Sequence, residues 1–408
     1  MTTVVLAGQF VDFSGYAWAG RAYAKLFKER FDNVLFYDRS VEGKTQNMSK
    51  DQIFEFKKSL KIEDIEFCTS KDLEGLKGEV YYFECFMPSI NVSLATLGHP
   101  HSTFILNSNK NINLKKISLI AWESNKVGNF FLKGLRDYEF DHIIFHTSEH
   151  IKELEDQISI SCSHNHYPVM ELFHPPKKEK RDDEVFRIFS FNDFQPRKGW
   201  NTLLSAYYST FHNHDDVVLR IKTHGNVGDI QQKIMLIKEK NVNINLVKND
   251  KGVYKALKEY PKCKIELDTN FLSEEEIDSY YSNFDLFACT TKGEGFGLTI
   301  AQAGLSGLPI LCPEKGGHRY FVPDISYTPE TFTSAISTGL PIQFYTGKTM
   351  HLYECDFLST KSELKKAYND WKKDTLFQKG IQTRKFMENK LSTENCFKNI
   401  LKIMEELK

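Results

Sequence analysis

The 408-residue chain has no excess charge of either sign, with 53 Lys and Arg against 54 Asp and Glu. That balance excludes a surface built throughout for nucleic acid, although a local basic patch survives it. The chain has no Cys-x-x-Cys pair. Its eight cysteines (68, 85, 162, 263, 289, 312, 355 and 396) keep no regular spacing, so buried reduced thiols are expected, as in a cytosolic protein. No apolar run is long enough for a membrane span, because the uncharged stretches near 89–109 and 295–313 are broken by Gly, Pro, Asn or Gln. No signal-peptide pattern is visible, since Met-Thr-Thr leads directly into Val4-Val5-Leu6-Ala7. A cytoplasmic location is expected, at most peripheral to a membrane. Gly-x-Ser-x-Gly and Walker loops are also missing.

What is present is a globular composition: 41% apolar residues, 26% charged and 13% aromatic, the last driven by 32 Phe. The length suits two or three domains. Strand-like runs at Val4–Ala7, Val34–Tyr37, Val80–Phe83, Ile117–Trp122 and His142–Phe145 alternate with helical segments near 17–31 and 127–137, and Ser148 reads as a helix cap. Residues 174–184, with two prolines and eight charges, read as a linker. The alternation then restarts with strands at Phe186–Phe191, Val217–Ile221 and Leu286–Cys289. Helices are expected from Gly199, around Ile230, Ile234 and Ile237, and over 274–283. The reading is α/β throughout: a first domain over 1–173, a second over 185–385, and a final helix near 386–408 packing back on the first. In that helix Phe397, Ile400, Leu401 and Met404 share one face. Ligands of such folds bind beyond the carboxyl ends of the strands, here in the cleft between domains.

The richest segment runs from Leu286-Phe287-Ala288-Cys289 through Gly293-Glu294-Gly295-Phe296-Gly297 into a helix near Leu298-Thr299. Its glycines allow close backbone approach, and free N–H groups at a helix start favour phosphate by about 0.3–2 kcal/mol. Glu294 is costly beside a phosphate unless it accepts hydrogen bonds from hydroxyls, as a sugar offers. Gln302 lies eight residues on, roughly 12 Å at helical rise, so one residue addresses a sugar and the other a ribose.

Residues Gly293–Pro309 closely resemble the signature of retaining glycosyltransferases of family 4, which have the GT-B fold: two Rossmann-like α/β/α domains facing across a deep cleft. The resemblance implies that Glu294 sits at the donor hexose and that Gln302, where the family has a second glutamate, binds the ribose. The turn Gly316-Gly317-His318 is similar to the family's as well. Phe191–Trp200 resembles the segment that supplies diphosphate-binding cations, which implies that role for Lys198. Asp193 stands where many members have arginine, with Arg197 as an offset substitute. The Trp-Glu-Ser segment makes Glu123 a candidate on the acceptor side, or else a structural carboxylate. The loop Gly8–Arg21, with Gly15, resembles the glycine loop that approaches donor phosphates and acceptor; it is not Gly-x-Gly-x-x-Gly.

The resemblance implies a metal-independent transferase that moves a hexose from a UDP- or GDP-sugar and needs no other cofactor. Glu294, Lys198 and Glu123 are its candidate catalytic residues. Gly15, Arg197, Lys198, Glu294, Gly295, Phe296, Gly297, Leu298, Thr299 and Gln302 are its candidate donor-binding set. The acceptor stays open among glycan, lipid, protein and modified nucleobase, and the oligomeric state is unread. A non-catalytic module that binds a nucleotide sugar or glycan is the second reading, motivated by Gln302 and Asp193, and a nucleotide-sugar epimerase the third. Three His-x-His pairs (His99/His101, His164/His166 and His212/His214) read as exposed loop histidines rather than metal ligands. The Lys-rich stretch 361–385, interleaved with acids, reads as a solvated helix face.

Overall fold

A computed structural model describes residues 2–11, 14–38, 50–85, 102–147, 151–181, 184–248, 254–335 and 350–408. Ser148 and the pair His99/His101 lie outside them.

The apolar runs of the first half become a parallel sheet of six strands: β1 (Thr2–Gly8), β2 (Val34–Asp38), β3 (Gly78–Cys85), β4 (Ile112–Ile120), β5 (His142–Phe145) and β6 (Ser161–His164). Their spatial order is β2-β1-β3-β4-β5-β6. β1 is buried from Thr3 to Gly8, as a strand covered on both faces must be. It leads through a loop to helix α1 (Gly15–Arg30), whose cap Ser14 accepts a hydrogen bond from the Ala17 N–H.

The second half repeats the scheme with β7 (Phe186–Phe191), β8 (Val217–Lys222), β11 (Lys264–Asp268), β12 (Leu286–Ala288) and β13 (Ile310–Leu311), ordered β11-β8-β7-β12-β13. The strand order reverses between β7 and β12, so the loops leaving these two strands flank a switch-point crevice.

Some expectations are corrected. Trp122 lies beyond β4, its indole N–H directed at the Ser124 hydroxyl and the Lys126 carbonyl. Two antiparallel hairpins were not anticipated: β9 (Asn243–Lys248) with β10 (Tyr254–Glu259), and β14 (Thr331–Ser334) with β15 (Leu352–Cys355). The charged segment after residue 174 is not a free tether. Lys178 is buried and donates to the carbonyls of Ser282 and Phe284, while Arg181 pairs with Asp285 at 3.2 Å. One helix, Leu376–Lys390, spans the boundary expected at 385, and the break falls before the helix Thr393–Glu406. This last helix does pack on the first domain, where Asn165 donates to the Cys396 carbonyl and Tyr81 to that of Met404. Its buried face carries Cys396, Phe397, Ile400, Ile403 and Met404, whereas Leu401 is exposed. His164 and His212 are half-buried and His166 is buried, its Nε2 3.1 Å from the Ser392 carbonyl. His164 is on β6 and the other two are in connecting segments, so what is corrected is their exposure.

Apolar contact is continuous between the domains, running from Phe27 and Phe83 through Tyr167 to Phe296 and Phe321. Among the described residues no helix is long and apolar enough to cross a membrane.

Candidate active site

The site forms where the loops after β7 and β12 meet. After β7 the chain makes a single 3-10 turn, Pro196–Lys198, and leaves it through Gly199 at φ +69°. A side chain there would overlap the Thr290 carbonyl, so only glycine admits this approach. The loops are then joined by Lys292 N–H to the Arg197 carbonyl (2.7 Å) and Thr290 Oγ1 to the Gly199 carbonyl (2.9 Å). That junction carries Arg197 and Lys198 to the loop Gly293–Gly297.

Lys198 Nζ lies 2.5 Å from Glu294 Oε1. Arg197 donates to the Gly293 carbonyl at 2.6 Å, stands 3.9 Å from Glu294, and reaches across to Glu123 Oε1 at 3.5 Å. All four side chains are at most 16% exposed, so the group is desolvated. Two cations face two carboxylates, and the cluster is formally neutral. Burial alone pushes the Glu294 carboxyl up, but Lys198 and Arg197 outweigh it and hold the pKa at about 2. Glu123 Oε2 is buried with no hydrogen-bond partner among the described residues.

Glu123 comes from the segment after β4, in the other domain. Here the glycines have a role that the sequence reading did not assign. A Cβ on Gly295 would stand 2.7 Å from both Ala121 Cβ and the Trp122 N, and one on Gly293 would overlap the Glu123 carbonyl. Thr147 donates to the Gly295 carbonyl from the first domain. Their smallness admits the facing domain. On its other side the loop is fixed by Gly317 N–H to the Glu294 carbonyl at 2.9 Å.

Phe296 is a core residue between the domains, with ring centroids 4.8 Å from Tyr167 and 4.9 Å from Phe321. Gly297, at φ +92°, opens the helix Leu298–Leu305 without a side-chain cap. Leu298 and Thr299 are half-buried at its start, and Thr299 Oγ1 lies 3.4 Å from Asn192 Oδ1. Gln302 does not join the charged cluster. It is buried, and its side-chain carbonyl accepts from the fully buried Tyr281 hydroxyl at 3.1 Å. Gly15 is exposed in the first turn of α1, and a Cβ there would meet nothing within 4 Å. Asp193 supports the turn: its backbone carbonyl accepts from Trp200 Nε1 at 2.7 Å, and its carboxylate faces His224 at 3.3 Å.

The structure thus brings Glu294, Lys198, Arg197 and Glu123 together. Thr147 and Tyr281 were missed, because contacts 148 and 21 residues apart carry no local spacing signal. Among the described residues no group of His, Cys, Asp or Glu is arranged to hold a metal ion.

Residues 174–325 match the family model for glycosyl transferases group 1. A comparison with curated proteins finds no match. Among solved structures, S. aureus TarM, in complex with fondaparinux, alpha-GlcNAc-glycerol and UDP, is 14% identical at a TM-score of 0.52. That likeness covers 79% of this chain and 55% of TarM, so the chain spans about half of TarM's length. Anabaena HepE, in complex with UDP and glucose, is 11% identical at TM-score 0.61, with 100% of both chains covered. Sucrose-phosphate synthase from Thermosynechococcus elongatus is 11% identical at TM-score 0.61, covering 100% of this chain and 99% of that one. The chain accordingly has the GT-B fold of two Rossmann-like domains, with the glycosyl transferases group 1 match lying over the linker and most of the second domain.

Proposed function

We propose that the chain is a retaining glycosyltransferase that moves a hexose from a UDP- or GDP-sugar to an acceptor hydroxyl without a metal ion. The observation that carries this reading is the ionised, buried Glu294 held by Lys198 and Arg197 at a switch-point crevice that Glu123 faces from the other domain. The family match and the UDP and glucose held by HepE support the donor class.

In the free protein the carboxylates neutralise the two cations. A diphosphate entering beside the uncapped start of Leu298–Leu305 takes over Lys198 and Arg197, and this releases the Glu294 carboxylate to accept hydrogen bonds from the hexose hydroxyls. The acceptor hydroxyl attacks C1 from the face that the diphosphate leaves. The bond from C1 to the phosphate oxygen breaks, the glycosidic bond forms, and the hydroxyl proton passes to the departing phosphate. The protein's share is orientation and stabilisation of leaving-group charge. Lys198 and Arg197 supply the positive charge that a divalent ion would otherwise bring.

Incubation with UDP-glucose and GDP-mannose, following UDP or GDP release with and without an acceptor panel, tests the reading. NMR of the product's anomeric configuration tests retention, and activity in EDTA tests metal independence. Release and transfer at near wild-type rates by Glu294→Ala would overturn the assignment. A second reading, a GT-B module that binds a nucleotide sugar without turning it over, is favoured by the capture of the Gln302 carbonyl by Tyr281. Binding with neither release nor transfer would support it.

A further inference from the structure

A second buried carboxylate joins the domains away from the cation cluster. Trp18 and Arg21 lie three residues apart on α1 and therefore share a face. Both reach Glu274, at the start of the helix Glu274–Tyr280 in the second domain. Trp18 Nε1 donates to Oε2 at 2.9 Å, and Arg21 Nη2 to Oε1 at 2.8 Å. Arg21 Nη1 also donates to the Phe10 carbonyl at 2.9 Å, in the loop that leads from β1 to Gly15. The ion pair is almost completely buried, with side-chain exposures of 1% and 9%. Removing charges from water at this depth is tolerated only when the geometry satisfies them, and here both carboxylate oxygens are engaged.

We propose that Glu274, acting through Trp18 and Arg21, is a positioning residue that sets how the two domains close over Glu294. The loop contacts at the site cannot do this alone. Gly293 and Gly295 lie flush against Ala121–Glu123 with backbone and small groups, and the Thr147 bond to the Gly295 carbonyl and the Arg197–Glu123 pair at 3.5 Å each hold a single atom. The two-oxygen grip on Glu274 fixes angle and distance together. Glu274 is connected through the helix Glu274–Tyr280 and Tyr281 to β12, and β12 ends in the loop carrying Glu294. Arg21 fixes the opposite wall by holding the loop after β1. The clasp's part in transfer rests on the glycosyltransferase reading, whereas its part in closure does not.

Small-angle scattering of the full chain with and without UDP, for wild type, Glu274→Gln and the double variant Arg21→Met with Glu274→Leu, tests the proposal. The double variant replaces the ion pair by apolar side chains and so keeps the region packed without the clasp. Wild type is expected to scatter alike in both conditions. Both variants are expected to have a larger radius of gyration when free and to contract with UDP. Their kcat falls on the order of ten- to a hundred-fold, the effect of a misplaced facing wall, while UDP affinity, a property of the second domain, stays within about three-fold of wild type, a change of roughly 0.7 kcal/mol. A folded double variant with wild-type scattering and wild-type kcat overturns the proposal. If no donor is turned over by the wild type, the free-state scattering still decides whether the clasp sets closure.

Discussion

Two buried glutamates meet cations at the junction of the domains, and they do so differently. Glu294 shares its cations: Lys198 and Arg197 also face the crevice, and Arg197 divides itself among Glu294, the Gly293 carbonyl and Glu123. Among the described residues Glu274 faces no second carboxylate: Trp18 and Arg21 take one oxygen each within a packed interface, and Arg21's other bond is to the Phe10 carbonyl. In the first arrangement an incoming anion can compete with the carboxylates for cations that are already shared. Depth of burial alone therefore does not distinguish the two carboxylates; the arrangement of their partners does.

The largest effect that sharpens this contrast is expected from Lys198→Ala. It should lower kcat by about 10²–10³, the usual consequence of removing one preorganised charge from a leaving group. Its melting temperature should fall less than that of Glu274→Ala. Breaking the committed pair by removing one partner should cost about 3–5 kcal/mol, read by thermal and urea melts side by side. Equal destabilisation by the two variants would erase the contrast. Glu294→Ala should cut kcat at least ten-fold, about 1.4 kcal/mol, and should raise affinity for UDP, because the cations lose an internal competitor. Isothermal titration of both proteins checks this.

A smaller effect follows from three buried histidines. Burial lowers His146 to about 3, and His166 and His318 to about 4. The unfolded chain takes up these protons near pH 6.5 and the folded chain does not, so their contribution to stability is complete above that value and declines as pH falls towards 4. Glu294, held at about 2, loses its contribution only below about 4.5. Melting temperature measured from pH 7 to pH 5 should therefore decline, with a shallower slope in His166→Asn. The smallest effect is expected from Asp193→Ala, whose kcat should stay within about two-fold, because its carboxylate faces an exposed histidine rather than the cluster.

The strand and helix succession was readable because short continuous apolar runs, as at Val217–Lys222, give way to a 3.6-residue period, as at Ile230, Ile234 and Ile237 in the helix Val227–Lys240. The hairpin β9–β10 was not, since Asn243–Lys248 and Tyr254–Glu259 mix Asn and Lys into short runs whose pairing is set by the partner strand. Within the site, residue types were legible and their contacts were not. The glycines of 293–297 signalled close approach, yet nothing in one sequence says whether a phosphate or the opposite domain approaches. Likewise Lys198 and Glu294 are 96 residues apart, and only the switch-point topology brings them within 2.5 Å. The charged linker misled for a related reason, because its lysine and arginine stems pack while their head groups find carbonyls.

The bond between Tyr281 and Gln302 also has an evolutionary consequence. Gln and Glu codons differ by one nucleotide, so mutation can readily introduce the acid at position 302. In this fold that change buries a negative charge at a position where the Tyr281 hydroxyl is the side-chain donor, so its cost depends on the residue at 281. Position 302 is therefore not free to drift alone. Substitutions at 281 and 302 should be epistatic, with the acid tolerated in some Tyr281 backgrounds and rejected in others, and the route between amide and carboxylate lies through a paired change.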